Sequence, residues 1–314
     1  MRNLTDFVIL QEYERVKELG DKLVENGTRI KWEGFRPILE AMYKNNTECG
    51  GRPNLDVIVM LKSLFIQQLY SLSDEQLERE IADRISFRVF LGTTETVPDS
   101  TTIWKFRERH AEKGVDKEVW AEMQRLLDAM NLTVQKGVMQ DATFITADPG
   151  HAKADTPRGD EAKTRRSKDG AWAKKGTKSY FGFKLHDCMD ERFGLIRRIE
   201  VTAANVHDSQ VDLAKEGEVR YADKGYFGAK TKGYDAAMKK ATRGHPLSYK
   251  DDMRNRRISS KRSPVERVYA FIKSVCRAGH VAVTTVARVT VKMIMMGIVF
   301  NVYQLASAKR KLEA

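Results

Sequence analysis

The sequence predicts an α/β protein in two parts: an all-α N-terminal domain over residues 1–130, then a mixed five-stranded sheet with flanking helices over residues 131–314. Three observations carry this. Through the first part, apolar residues recur at three- and four-residue spacing, the signature of helices with one buried face. From residue 138 onward, short runs with alternating apolar positions take over, bounded by turn residues. The charge balance changes at the same place. Residues 1–130 hold 19 Lys+Arg against 23 Asp+Glu, a balance of −4, whereas residues 131–314 hold 36 against 20, or +16. A chain of 314 residues is long enough to bury two cores.

In the first part, Val16, Leu19 and Leu23, then Ile38, Leu39 and Met42, place helices across residues 7–48. Gly50-Gly51-Arg52-Pro53-Asn54 interrupts the pattern, and Asp56–Tyr70 resumes it as a strongly apolar helix. Ser73 with Gln76 has the form of a capping box, starting a helix that runs to about Asp83. Asp99 or Ser100 caps the next helix, on which Ile103, Phe106 and His110 fall at core spacing. Two short helices followed by a capped, Arg-bearing one resemble a helix-turn-helix, which makes Arg107 a candidate DNA contact. A small helical bundle has the same pattern. Val119–Met130 closes the domain.

In the second part, Val138–Ile145 reads as the first strand and carries Asp141. Residues 150–179 form a basic, glycine-punctuated loop with nine Lys+Arg against four Asp+Glu, Lys175 and Lys178 among them. A long loop without periodicity is usually functional or disordered, and this one is expected to become ordered on DNA, the alternative being a solvated loop. Tyr180–Cys188 and Leu195–Thr202 are the next strands, with a turn at Asp190–Gly194. His207-Asp208 opens a short helix over Ser209–Lys215, and Arg220–Asp223 is a strand ending in an acid before Gly225. Residues 228–240 read as helical, Leu247–Tyr249 as a short strand, and Lys250–Arg262 as a second basic run with six Lys+Arg against two Asp. A last helix covers Thr284–Leu305.

The chemistry gathers around Arg262-Ser-Pro-Val-Glu266-Arg267-Val-Tyr269-Ala-Phe-Ile-Lys273. Locally this is a helix start: Ser263 suits the N-cap, Pro264 the first turn, and Glu266 stands three residues after the cap. From Glu266 to Lys273 is about two turns, so the carboxylate and the ammonium share a face. Upstream, Asp141 and Asp223 each stand in or at the end of a strand-like run. Asp148 and Asp155 are rivals for the first acid, but they sit beside Pro149-Gly150 and Pro157 in a loop. Three carboxylates on two strands and a helix form a set that can hold two divalent cations for phosphoryl transfer.

The order Asp141, Asp223, Glu266, with Arg262 four residues before the last acid and Lys273 seven after it, resembles the DDE transposases of bacterial and archaeal insertion sequences. More narrowly it resembles the insertion-sequence-5 group of the insertion-sequence-4/5 superfamily, which often reads Asp-Ala-Thr at the first acid and Ala-Asp-Lys-Gly-Tyr at the second. Both stand here, at Asp141-Ala-Thr and Ala222-Asp-Lys-Gly-Tyr226. The related pattern usually has Tyr three residues before the Arg, where this chain has Ser259. The run from Gly51-Arg-Pro to Phe106-Arg107 resembles the helical N-terminal domain of the same group.

The resemblance implies an RNase H-like sheet with its first strand central and its fourth beside it, so that acids 125 residues apart (266 − 141) converge. It implies Asp141, Asp223 and Glu266 as catalytic residues and ligands of Mg²⁺, with Mn²⁺ as a substitute, both being hard ions suited to carboxylates. Arg262, Lys273 and Lys224 would orient phosphates or DNA ends. The implied reaction cuts the element's ends and joins their 3′-hydroxyls to target DNA. The implied partners are double-stranded DNA and at least a second copy of the chain, in a homodimer or higher oligomer. The alternatives are an RNase H-like nuclease without strand transfer and a catalytically silent DNA-binding protein derived from a transposase.

Composition narrows the classes further. A balance of +16 on one part argues for a polyanionic partner. Cys49, Cys188 and Cys276 are too few and too scattered for a disulfide framework. His186, Cys188 and His207 match no familiar zinc spacing. No phosphate-binding G-x-x-x-x-G-K-[ST] occurs, which disfavours a nucleotide cofactor. The polar first twenty residues carry no signal peptide, and the uncharged run Met293–Ala308 is shorter than the roughly 20 residues of a membrane span. A cytoplasmic, nucleoid-associated location is the expectation.

Overall fold

A computed structural model describes residues 4–43, 53–93, 97–150 and 167–313. They fall into two compact units, one built from residues up to Asn131 with Ile294–Lys309, the other from Leu132–Met293 with the chain end from Arg310.

The first unit is all helical: α1 (Leu4–Glu18), α2 (Lys22–Gly27), α3 (Arg36–Glu40), α4 (Val57–Tyr70), α5 (Asp74–Asp83), α6 (Ile85–Leu91), α7 (Ser100–Lys113) and α8 (Asp116–Ala129). The caps are largely those expected. Ser73 and Gln76 exchange both bonds of a capping box on α5, and the Asp99 side chain accepts from Thr102 N on α7. The start of α4 is capped by the Asp56 carboxylate, which accepts from Ile58 N and Val59 N. The core centres on Trp32, whose ring meets Phe65 and Phe90 edge-on at 5.4 and 5.8 Å. Ile103, Phe106 and His110 of α7 are buried, and burial pushes His110 down to about 4, so it is a neutral core residue.

The second unit is a sheet of β1 (Val138–Ala147), β2 (Ala171–Lys175), β3 (Lys178–Asp190), β4 (Ile196–Ala203), β5 (Val219–Ala222), β6 (Tyr234–Ala237) and β7 (His280–Val281), with helices α9 (Tyr249–Arg262) and α10 (Val265–Ala270) before β7. Helix α11 (Val286–Glu313) follows β7, and its stretch Ile294–Lys309 belongs to the first unit. Its main path runs β2-β3-β1-β5-β6, with β4 also on β3 and β7 also on β1. Because β1 pairs along one whole edge of β3, β2 and β4 share the other edge of β3 end to end. In the same way β5 and β7 share the second edge of β1. The sheet is therefore five strands wide and mixed, with β1–β3–β4 antiparallel and β5 and β6 parallel to β1. This is the RNase H-like order, with β1 central and β5 beside it.

Several local expectations change. Residues 171–179 of the basic loop form the β2–β3 hairpin, turning at Gly176-Thr177; residues 151–166, with Asp155, lie outside the described part. The short helix expected after His207 is only a 3-10 turn, Asp208–Gln210. The stretch 228–240 is not helical: it contains β6, because β5 offers a parallel edge that four residues can complete. Leu247–Tyr249 is not a strand, since Ser248 caps α9 by accepting from Asp251 N. Nor is Ser263 an N-cap; it ends α9, and its hydroxyl donates to Ser260 O. Pro264 lacks an N–H and interrupts the helical ladder between α9 and α10, which places the bend there. By length and composition alone α11 is the one helix among the described residues able to cross a membrane, but 72% of that window is buried, as in a core helix.

Candidate active site

Side-chain parity on the sheet decides which acids meet. Opposed residues share a face, so the pairs Asp141↔Asp187 and Met139↔Tyr221 put Met139, Asp141, Asp187 and Tyr221 on one side. Continuing the parallel register of Val138↔Arg220 (an offset of 220 − 138 = 82) sets Asp141 opposite Asp223. The ladder stops short of that point. β1 bonds to β5 at residues 138–139 and to β7 at 146–147, so its edge between them carries no strand among the described residues. Asp141 lies at this gap, and its own Oδ1 accepts from the backbone N–H of Ala142 at 2.9 Å.

Asp223 follows the last residue of β5 and caps a 3-10 turn, its Oδ1 accepting from Gly225 N at 2.7 Å. A Cβ on residue 225 would come within 2.9 Å of that same oxygen, so any other residue there would push on the Asp223 carboxylate. The two carboxylates lie close enough for the charge of Asp223 to raise Asp141. Burial is the larger cause: it lifts Asp141 to about 6, against the Arg262 guanidinium and the Ala142 N–H, and Asp208 adds to the rise. Asp141 is 23% exposed, and its Oδ2 forms an ion pair with Arg262 at 3.0 Å.

The helical run α9–α10 crosses this face. Arg262 meets Asp141, the Tyr269 hydroxyl donates to Asp187 Oδ1 at 2.5 Å, and Lys273 donates to Thr143 Oγ1 at 2.6 Å. Steps of four, three and four residues link Arg262, Glu266, Tyr269 and Lys273, so Glu266 falls on the same stripe. After Ala270 the helix widens into a π-turn, Phe271–Val275, a deviation common at functional sites, and Lys273 sits on it. Glu266 itself is exposed, and its side chain makes no hydrogen bond among the described residues. No group of three His, Cys, Asp or Glu is closed around one point among the described residues. The fold thus brings Asp141 and Asp223 together and sets Glu266 on the helix above, without closing the trio.

The cations divide into two kinds. Lys175 and Lys178 face each other across the hairpin turn, both exposed, and Lys224 is exposed beside Asp223. Burial lowers Lys273, and the nearby charge of Lys175 lowers it further. Lys273, Lys174, Lys175, Thr143, Phe144 and Tyr180 line a cavity of about 440 Å³ that β1, β2 and β3 all help to build. Like charges held together with few acids are an arrangement that an anion relieves. Arg107 differs: in the first unit it makes two bonds to the Asp74 carboxylate, at 2.7 and 2.8 Å, and a third to Gln67. That guanidinium is committed to holding α7 on α5 and α4.

Three residues near the acids were not anticipated from the sequence. Asp187 is fully buried beside Asp141, its Oδ2 has no partner, and burial raises it to about 8. Tyr269 is its donor. Asp208 holds Lys184 at 2.7 Å and adds its charge to the field at Asp141. A signal for Asp187 was present: it interrupts the inward series Phe183, Leu185, Met189 with a charge.

The donor set suits a hard divalent cation. Asp141 and Asp223 supply oxygen only, and their mutual repulsion is the kind of cost a bound cation removes. Comparison with known families agrees. The family described as Transposase domain (DUF772) matches residues 11–109, and the family described as Transposase DDE domain matches residues 133–302. No solved structure matches the chain. The DDE match spans more than half of the chain and contains the β1–β5 acids and the helix over them, so the chain belongs to the DDE transposases.

Proposed function

We propose that this protein is the transposase of an insertion sequence of the insertion-sequence-5 group, cutting the ends of its element and joining their 3′-hydroxyls to target DNA. The observation that carries this is the neighbouring pair Asp141 and Asp223 at the open edge of the central strand, under a helix bearing Arg262, Glu266 and Lys273. Asp141, Asp223 and Glu266 would hold Mg²⁺, or Mn²⁺ in its place. Bound there, two such ions would lower the pKa of the attacking oxygen and stabilise the leaving one. Arg262 is paired with Asp141 and would be available to a DNA phosphate where a cation is held by that carboxylate. Lys273 and Lys175, held close together and neither paired with an acid among the described residues, receive a backbone phosphate, and Lys224 and Lys178 extend the track. Residues 1–130 contribute end recognition and assembly, and joining two ends in concert calls for at least two chains. A cytoplasmic, nucleoid-associated protein fits that task.

The test compares Asp141→Asn, Asp223→Asn and Glu266→Gln with wild type on end-labelled element DNA, scoring nicking and joining separately. Each variant should lose at least about 100-fold in both steps, as removal of a group acting in the transition state does. Each should keep its melting temperature and bind DNA within about threefold of wild type. Mn²⁺ should restore what chelation removes. Full turnover by a stable Glu266→Gln protein would take the third acid out of the site. Nicking without joining in the wild type would favour the RNase H-like nuclease.

A further inference from the structure

Beyond the acids, the same sheet face continues into a groove of about 680 Å³ between α9 and the β5–β6 pair. Its floor includes Tyr221 and Val219; its wall is α9, with Tyr249, Lys250, Met253 and Arg257. Two features distinguish it from an ordinary basic surface. The first is its aromatic edges: Tyr249 is 80% exposed, and neither it nor Tyr234, 69% exposed, packs on another ring among the described residues. Tyr249 lines the groove from the helix side; Tyr234, the register partner of Val219 and on the same face as Ala236, stands next to these two lining residues on the sheet side.

The second feature is the charge. Lys250 and Arg257 have no ion-pair partner among the described residues, while the acids of α9 are engaged elsewhere, Asp251 with Lys239 and Asp252 with Arg256. Arg254 and Lys261 are held in place, by Ala237 O at 2.7 Å and by Glu191 and the Tyr221 hydroxyl at 2.7 and 3.0 Å. Lys261 also lies over the Tyr221 ring at 4.6 Å.

We infer that this groove binds a single-stranded stretch of DNA, its bases stacking on Tyr249 and Tyr234 and its phosphates on Lys250, Arg254 and Arg257. The inference rests on the DNA-processing reading above and deepens it by naming the strand form. Bases inside a duplex already stack on one another and have no free face for a tyrosine; unpaired bases do, and aromatic platforms beside a cationic track are how single strands are held. The volume lies within the range of sites that enclose a small ligand, enough for a nucleotide unit rather than a duplex. The groove also leads to the acids: Tyr221 stands two residues before Asp223 on the same face, and Lys261 adjoins Arg262, the partner of Asp141. A strand unpaired next to the bond to be cut would lie here.

The experiment uses the full chain in chelator, so that binding is read without cleavage, with three fluorescent probes. These are oligothymidylate of about a dozen nucleotides, a duplex of equal length, and an abasic strand of equal length. Tyr249→Ala and Tyr234→Ala should each weaken oligothymidylate at least about fivefold while changing duplex affinity less than twofold. Tyr249→Phe should retain wild-type affinity, because the ring and not the hydroxyl stacks. The abasic strand should bind weakly and be indifferent to the tyrosines. Both tyrosines are exposed, and melting curves verify that the variants fold. Equal losses on single strand and duplex would mean a surface for duplex phosphates and overturn the inference, as would no loss at all or an abasic strand bound as tightly as oligothymidylate. If duplex binds and the tyrosines do not matter, only the groove assignment falls; if no DNA binds, the DNA reading falls with it.

Discussion

Burying a carboxyl group beside a second carboxyl costs free energy, and Asp187 meets both conditions. It is fully buried, opposite Asp141 in the β1–β3 register, with one oxygen bonded to Tyr269 and the other to nothing. Burial and the Asp141 charge, against the Tyr269 hydrogen bond, leave it at about 8, above its unfolded value of 3.8. The folded state therefore holds a proton that the unfolded chain has released between about pH 4 and pH 8. Stability falls as pH rises through that window, and the cost is fully present above it. Asp187→Asn keeps an acceptor for Tyr269 and removes the charge, so it should raise the melting temperature at pH 8 and flatten its decline from pH 4 to 8. Tyr269→Phe leaves a buried carboxyl unpartnered and should lower stability by about 1–3 kcal/mol at neutral pH. An Asn variant with the wild-type pH slope would refute the assignment. At this scale the sequence was legible where chemistry names a residue: Asp141 and Asp223 are neighbours. It was less so for Asp187, whose significance depends on which strand face it occupies, and for Arg107, where a cation on a helix reads equally as a DNA contact or a partner for Asp74.

At the scale of elements, the contrast is between two serines. The sequence pattern of Ser263 and Glu266 is that of a capping box, but in the fold residue 263 is still αR and ends α9. Pro264 rather than a capped start separates the two helices. The cap in use is Ser248, fifteen residues earlier (263 − 248), whose Oγ accepts from Asp251 N at 3.2 Å and donates to Asp251 Oδ2 at 2.9 Å. Ser248→Ala should cost about 0.5–2 kcal/mol, and Ser263→Ala less than about 0.5 kcal/mol, in chemical denaturation. The reverse order would mean that α10 begins as an independent helix. The misreading has a physical origin. α9 buries only Asn255 and Ile258, so it has almost no apolar stripe and reads as a basic run. β6 is a four-residue edge strand with Ala at two positions, helix-prone by itself and a strand only because β5 supplies the ladder. Strands of the central sheet were legible because both their faces are packed: β3 is buried from Phe181 to Asp190 without a break.

At the scale of the whole chain, the excess of cations after residue 130 invites the expectation that DNA affinity belongs to that part, and a natural test would be to divide the chain there. The fold argues for a different experiment. Ile294–Lys309 belongs to the helical unit, so a cut near residue 130 removes from that unit a helix segment with Ile298, Val302 and Leu305 buried. Loss of binding by such a fragment would report unfolding as readily as lost contacts. Charge removal in the full chain avoids this. Lys175 and Lys178 are exposed at a hairpin turn and held by no acid among the described residues, so Lys175→Gln/Lys178→Gln should fold as wild type. If both touch phosphates, the plot of log affinity against log salt for duplex DNA should flatten by about 1.8, at about 0.9 per contact. Neutralising Lys17 and Lys31, exposed on the helical unit, should leave the slope unchanged within about 0.3. Equal flattening from both pairs would show a response to net charge alone. Flattening from the hairpin pair alone would locate the phosphate track at the cavity that β1, β2 and β3 share, where Lys175 already presses on Lys273.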